Sequence, residues 1–256
     1  MTNKDVLQTA LAQSAVDLSC HPADLCKGEN VMVHSVAHPD ARKYLTLPFA
    51  CNLVSYGSNI VASVSPALHD LVADYIGRYP VEHCFETPHL HVLNDGLQKK
   101  GFRVCFMAEY FLPDLTLLGP LDCAYRLQIL EPPAFSTLYL PQWSNALCEK
   151  RKHLDRLAVA AYDGTRLIGL AGASADCHTM WQIGIDVLPA YRRQGVAAAL
   201  TSRLALEILR RGKVPFYCAA WSNIGSVRNA LTCGFRPAWV ELTAKPAGEV
   251  DGMNRP

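Results

Sequence analysis

Trp181-Gln182-Ile183-Gly184-Ile185-Asp186-Val187 runs into Leu188-Pro189-Ala190-Tyr191 and then into Arg192-Arg193-Gln194-Gly195-Val196-Ala197. The first seven residues are a short apolar run that reads as a buried strand, and Pro189 stops it. After Gly195 the pattern changes period. Val196, Leu200, Leu204 and Ile208 recur every four residues, which predicts a long helix with one apolar face. Glu207 is spaced to pair with Arg211, and Gly212 sits where a helix C-terminus takes a glycine. A strand that turns through a glycine into a helix is an anion site in outline. The first turn has backbone N–H groups without helical partners, and the helix dipole adds partial positive charge there. Gly195 and Ala197 offer almost no side chain, so a phosphate can approach the backbone, and Arg192 and Arg193 bring full charge to the same end. Taken alone, the two arginines also fit a solvated surface pair. The ligand that suits the whole arrangement carries phosphates.

Neither G-x-x-x-x-G-K-[ST] nor a G-x-G-x-x-G after a strand is present, which removes the two commonest nucleotide fingerprints. The pattern that stands is Arg192-x-x-Gly195-x-Ala197. Downstream, 214–220 reads as another buried strand, followed by Ser222 or Asn223 as a helix N-cap. A short helix then shows Val227 and Leu231 on one face, and Gly234-Phe235 closes it. This layout resembles the GNAT acetyltransferase superfamily, whose Q/R-x-x-G-x-G/A motif follows a strand and opens a helix. In that family an asparagine, a short helix and Gly-Phe come next. The resemblance covers residues 125–244, where hairpins precede a strand–helix–strand–helix–strand order. The hairpin 157–173 turns at Asp163-Gly164, and a second turn at 176–179 leads into the strand at 181.

The resemblance implies an α/β (α+β) fold with a mixed, mostly antiparallel sheet flanked by helices. It also implies transfer of an acetyl group from acetyl-CoA, as co-substrate, to a primary amine, with no metal. In the family geometry the first core strand splays from the next and the thioester lies in the gap. By position, the Val187 N–H would meet the acetyl carbonyl in an oxyanion role. Arg192, Arg193, Gln194, Gly195, Val196, Ala197 and Ala198 would hold the pyrophosphate, and Asn223 would touch the pantetheine arm. Asn223 also has a complete explanation as an N-cap. Two departures stand out. The usual tyrosine, four residues before the glycine of the second helix, is Ala230 here, and the usual glutamate position falls near Trp181. Candidate substitutes for the missing proton carriers are Asp176, His178 and Ser222, with Glu109 and Tyr110 further off. His178 equally suits a plain turn residue and Trp181 a pocket wall.

The 256 residues are half hydrophobic and 18% charged, with a net charge of +1. That balance argues against a nucleic-acid binder working by bulk electrostatics. Charge is unevenly divided: residues 1–130 carry 9 Lys and Arg against 13 Asp and Glu, a balance of −4, and 131–256 carry 15 against 10, a balance of +5. The basic half suits an anionic co-substrate. Ten cysteines lie without a C-x-x-C pair or zinc-like spacing, and His89-Leu90-His91 lacks partners at ligand spacing. No leader-like apolar segment or membrane-length run is seen, so reduced thiols in a cytoplasm are the expectation, with no membrane partner.

Residues 1–120 carry no match to that family pattern. Their apolar patterns predict an amphipathic helix over 4–18, with Val6, Leu7, Ala10, Leu11 and Val16 as its stripe. Strands follow at 31–33, 60–64 and 102–106, a helix from Pro66 to Arg78, and another over 89–100, with a loop from 110. The expected division is therefore 1–120 as an N-terminal α/β region, either substrate-specifying or a degenerate second copy, 121–245 as the GNAT domain, and 246–256 as a tail. A small-molecule amine is the expected acceptor, and a homodimer is an open arrangement. Two other readings stay open: a CoA-binding regulatory protein without catalysis, and an acetyltransferase of protein lysines or N-termini.

Overall fold

A computed structural model describes residues 1–255. The elements are α1 (Asn3–Leu18), β1 (Val31–His34), β2 (Cys51–Ser55), β3 (Val61–Val64), α2 (His69–Arg78), α3 (His89–Gln98), β4 (Phe102–Pro113) and β5 (Arg126–Leu130). They continue with β6 (Asp155–Asp163), β7 (Arg166–Ser174), β8 (Met180–Val187), α4 (Val196–Arg210), β9 (Val214–Ala219), α5 (Ile224–Thr232), β10 (Phe235–Pro246) and α6 (Ala247–Met253). Two compact units share them. One comprises residues 1–9 and 110–237, the other residues 10–109 with those from 238 onward.

In the first unit, β5, β6, β7 and β8 pair antiparallel in chain order, and β8 pairs with β9 in parallel. Helix α4 covers one face. Its Val196, Leu200, Leu204, Ala205 and Ile208 are buried against Leu157, Val159, Ala161, Ala171 and Ile183. The four-residue apolar period is what makes this possible, since it keeps one stripe on the sheet through the whole helix. At Gly169 an added Cβ would come within 2.9 Å of Leu200 and 3.1 Å of Val196, so the missing side chain sets how closely α4 seats.

The opposite face is covered by residues with no helical period. Phe135, Trp143, Ala146 and Leu147 bury against Leu130, Ala158, Ala160 and Leu170. Between Trp143 and Cys148 the chain lies as a strap on the sheet. It rests on Gly172 and Gly184, which face each other in the β7–β8 register. A Cβ on Gly172 would stand 1.9 Å from the Ala146 carbonyl oxygen, and one on Gly184 would stand 1.8 Å from that of Asn145. Asp186, two residues along the same face, holds the strap down. Its Oδ2 accepts from the Asn145 and Ala146 N–H groups at 2.9 Å each, and its Oδ1 accepts from Asn145 Nδ2 at 2.7 Å. At the far end of the strap, Asp155 Oδ2 accepts from the Cys148 N–H at 3.1 Å and the Tyr139 hydroxyl at 3.0 Å.

The second unit is also mixed. β1 pairs parallel with β3, β3 antiparallel with β2, and β2 antiparallel with β10. Its core takes Leu53, Ala62, Val64, Leu68, Val72, Tyr75, Leu93, Leu97 and Leu242. Across the two units, three sequence expectations change for identifiable reasons. Helix α1 forms as expected, but Leu7 is 41% exposed while the polar Gln13, Ser14 and Asp17 are buried. They are partnered: Asp17 pairs with the buried Arg42 at 2.8 Å, Gln13 bonds to Asp17 and the Asp40 carbonyl, and Ser14 meets the Tyr56 hydroxyl. A hydrophobic stripe cannot register a polar face buried this way. Strand β2 passes unnoticed in the sequence because Asn52 and Ser55 look like loop residues. Asn52 donates to Glu241 at 3.1 Å and accepts from Thr243 at 2.7 Å, which satisfies it inside the sheet. Residues 110–113, expected as a loop, extend β4, with Tyr110, Phe111 and Leu112 all buried.

Candidate active site

Strands β8 and β9 start together and then part. Their parallel register runs through Met180↔Val214, Trp181↔Pro215 and Gln182↔Phe216 and ends there. From Gly184 to Val187 the residues of β8 are only partly buried. The direction of the backbone groups beyond the last rung follows from the other neighbour. Leu188 N–H bonds to the Ile168 carbonyl, which fixes the even-numbered residues of β8 as those bonded to β7. In an antiparallel ladder the alternate residues point their amides the other way. The N–H groups of Ile185 and Val187 therefore face the gap opened by the parting of β9. The structure thus has the splay that the family resemblance implies.

At the C-terminal end of β8 the chain makes a short 3-10 turn at Pro189–Tyr191 and then a tight loop. Arg193 and Gly195 both take left-handed conformations, with φ of 60° and 77°. Gly195 is the N-cap of α4, and the Ala199 N–H is bonded back to the Gly195 carbonyl. The N–H groups ahead of Ala199 lie in the first turn, where no helical partner exists. A Cβ on Gly195 would meet nothing within 4 Å, so the loop faces open space. Arg192, Arg193, Gln194 and Gly195 are exposed, Val196 is buried, and Ala197 and Ala198 are half-buried. Arg192 Nε donates to the Val187 carbonyl at 3.0 Å, which ties this loop to the end of β8. Gln194 accepts from the Tyr125 hydroxyl at 2.7 Å and donates to the Ala190 carbonyl, so its side chain braces the loop. A left-handed arginine costs roughly 1–2 kcal/mol relative to ordinary backbone. The residues present fit a pyrophosphate: a cradle of amides, two cations and room above them.

Asn223 caps α5, its Oδ1 accepting from the Ser226 N–H at 3.2 Å. Ala230 is fully buried in the α4 core. Asp176, His178 and Ser222 do not converge. Asp176 is completely buried and receives Arg151 Nη1 at 2.7 Å, an ion pair that anchors the turn before β8. His178 is exposed in that same turn. Because β8 and β9 run parallel from a common start, this turn lies at the paired end, whereas Ser222 follows β9 at the open end. Ser222 is exposed.

Sequence reading missed Asp186 and Asp155. Asp186 has a signal, a carboxylate inside an apolar strand, and its three donors explain it. Burial pushes Asp155 up from 3.8 to about 6, against the pull of its bonds to Cys148 and Tyr139. Among the described residues, no cluster of three or more His, Cys, Asp or Glu is placed to hold a metal ion, and all ten cysteines are free thiols. No helix among the described residues is long and apolar enough to cross a membrane.

Comparison with known proteins bears on the same stretch. Residues 116–238 match the family model described as GNAT acetyltransferase. Residues before 116 lie outside that match. No curated relative matches the chain. Among solved structures, it is similar to a GNAT-family protein from Novosphingobium aromaticivorans at 18% identity, over 56% of this chain and 66% of that one, with a TM-score of 0.45. A GCN5-related N-acetyltransferase-like protein from Streptococcus suis is 19% identical over 61% of this chain and 69% of that one, with a TM-score of 0.45. An aminoglycoside N-acetyltransferase in complex with CoA is 18% identical over 46% of this chain and 92% of that one, with a TM-score of 0.36. The chain thus spans about two thirds of the length of the first two, 66% and 69%.

Proposed function

We propose that this chain moves an acetyl group from acetyl-CoA to the primary amine of a small molecule by direct attack on the thioester. The observation that carries the reading is the parting of β8 from β9 directly before a loop with two left-handed residues at the N-terminus of α4. Acetyl-CoA supplies an activated acyl carbon and a thiolate leaving group. The chain's own residues do the rest. The N–H groups from Arg193 to Ala198 take the pyrophosphate, with Arg192 and Arg193 neutralising its charge. The Val187 N–H points into the gap, where it stabilises negative charge developing on the acyl oxygen. Asn223 orients the arm between the strands. Rate enhancement comes mainly from holding an amine beside a polarised thioester.

A second reading, CoA binding without catalysis, is favoured by two specific observations: Asp176 is paired with Arg151, and Ala230 is buried in the core. Calorimetric titration with acetyl-CoA and with CoA tests the shared site, and thiol release with an amine panel separates the readings. A peptide array covers acetylation of protein lysines and N-termini. Gly195→Glu places a carboxylate over the cradle and strains a left-handed position. It should weaken CoA binding by about a hundredfold, or about 2.7 kcal/mol, and retained affinity overturns the pyrophosphate assignment.

A further inference from the structure

Arg193 is the costly step of the loop before α4. Gly195 takes its positive φ freely, whereas an arginine at φ 60° carries a Cβ that crowds the following carbonyl. The residues on either side of Arg193 are both pinned. Arg192 Nε donates to the Val187 carbonyl and Gln194 Nε2 to the Ala190 carbonyl, each at 3.0 Å. Those two bonds are local. A third is not: Gln194 Oε1 accepts at 2.7 Å from the hydroxyl of Tyr125, 69 residues earlier. Tyr125 stands just before β5, and β6 and β7 lie between β5 and β8. Aromatic contacts keep it in place. The Tyr125 ring meets that of Tyr191 edge-on, with centroids 5.5 Å apart. The Tyr191 hydroxyl donates to Asp163 Oδ2 at 2.9 Å, and the Arg166 guanidinium lies 5.8 Å from the Tyr191 ring centroid. Asp163 and Arg166 face each other across the turn between β6 and β7. The hairpin thus grips Tyr191, Tyr191 seats Tyr125, and Tyr125 sets Gln194 beside the strained residue.

We propose that Tyr125 is a positioning residue for the co-substrate. Acting through Gln194, its hydroxyl keeps Arg193 left-handed and the amide cradle formed before any ligand arrives. The inference rests on the acetyltransferase reading above. Without the brace, Arg193 relaxes towards ordinary backbone in part of the population, and a pyrophosphate binds the remainder. Apparent affinity then falls by the fraction that stays competent. A brace of this kind acts on the empty chain and touches no reacting atom. It therefore sets how tightly CoA is held and leaves the chemical step alone.

Tyr125→Phe removes one oxygen and leaves the ring against Tyr191. Calorimetry on the full chain should show CoA held about fivefold more weakly, the size of one lost hydrogen bond. The KM for acetyl-CoA should rise by a similar factor with kcat unchanged. Gln194→Ala should lose at least as much, and adding Tyr125→Phe to it should cost nothing further, because the hydroxyl acts through that side chain. Tyr191→Phe cuts the tie to Asp163 but keeps the ring, and should weaken CoA about twofold. A hydroxyl that serves only the fold would lower the melting temperature of Tyr125→Phe and leave its CoA affinity at the wild-type value, and that result overturns the inference. Losses that add in the double variant overturn the route through Gln194. A wild-type chain that binds neither CoA nor acetyl-CoA overturns the acetyltransferase reading, and this inference with it.

Discussion

The two faces of the sheet in the first unit are built on opposite plans. On one, α4 packs side chain against side chain. On the other, the strap from Trp143 to Cys148 lays its backbone on two facing glycines and is pinned by two carboxylates. The helix face spreads its stability over many apolar contacts, each individually replaceable. The strap face concentrates it in a few positions where one added carbon has nowhere to go. Which face a substitution touches should therefore matter more than how conservative it looks.

The sharpest way to break that contrast is Gly184→Ala. A single methyl group would meet the Asn145 carbonyl oxygen at 1.8 Å, a backbone atom that no rotamer change can move. Overpacking of this kind should cost about 3 kcal/mol or more and dislodge the strap, read as a lowered melting temperature and increased protease cutting near 145. Stability equal to wild type would mean that the strap does not rest on the sheet. On the helix face, Leu200→Ala removes three carbons from the core and should cost about 3 kcal/mol, with the fold retained. A cooperative chemical denaturation with unchanged slope would bear that out, and a collapse as severe as that of Gly184→Ala would erase the distinction.

The smallest effect concerns the anchor at the strap's end. Asp155 has its folded pKa raised from 3.8 to about 6, chiefly by burial. A raised acid favours the folded state when protonated, so its contribution is fully present below about pH 3.8 and is lost as pH rises through about 6. Asp155→Asn should therefore flatten the pH dependence of stability between those limits. An unchanged slope across that window would place the titration elsewhere.

The helix face and the loop before α4 are legible in the sequence because they are periodic or punctuated. Val196, Leu200, Leu204 and Ile208 announce the helix, and Arg192-x-x-Gly195-x-Ala197 announces its opening. The strap is illegible for the complementary reason. Short 3-10 turns carry no period, and a backbone lying on glycines leaves no hydrophobic signature of its own. Buried polar groups behave similarly. Gln13, Ser14 and Asp17 look like an outer face until Arg42 and Tyr56 are seen beneath them. The same limit applies to side-chain pairs that the fold brings together. Asp176 and His178 are near Trp181 in sequence but at the paired end of β8, whereas Tyr217 and Ser226 meet only through the fold.

The parting of β8 from β9 also divides one strand into two clocks. Amides at 184, 186 and 188 are tied to β7, while those of Ile185 and Val187 face the gap. Hydrogen exchange along five consecutive residues should thus alternate slow and fast, where an ordinary interior strand would be uniformly slow. The fast set doubles as a built-in footprint: any molecule that threads the gap and takes up those amides would silence every second residue and leave its neighbours untouched.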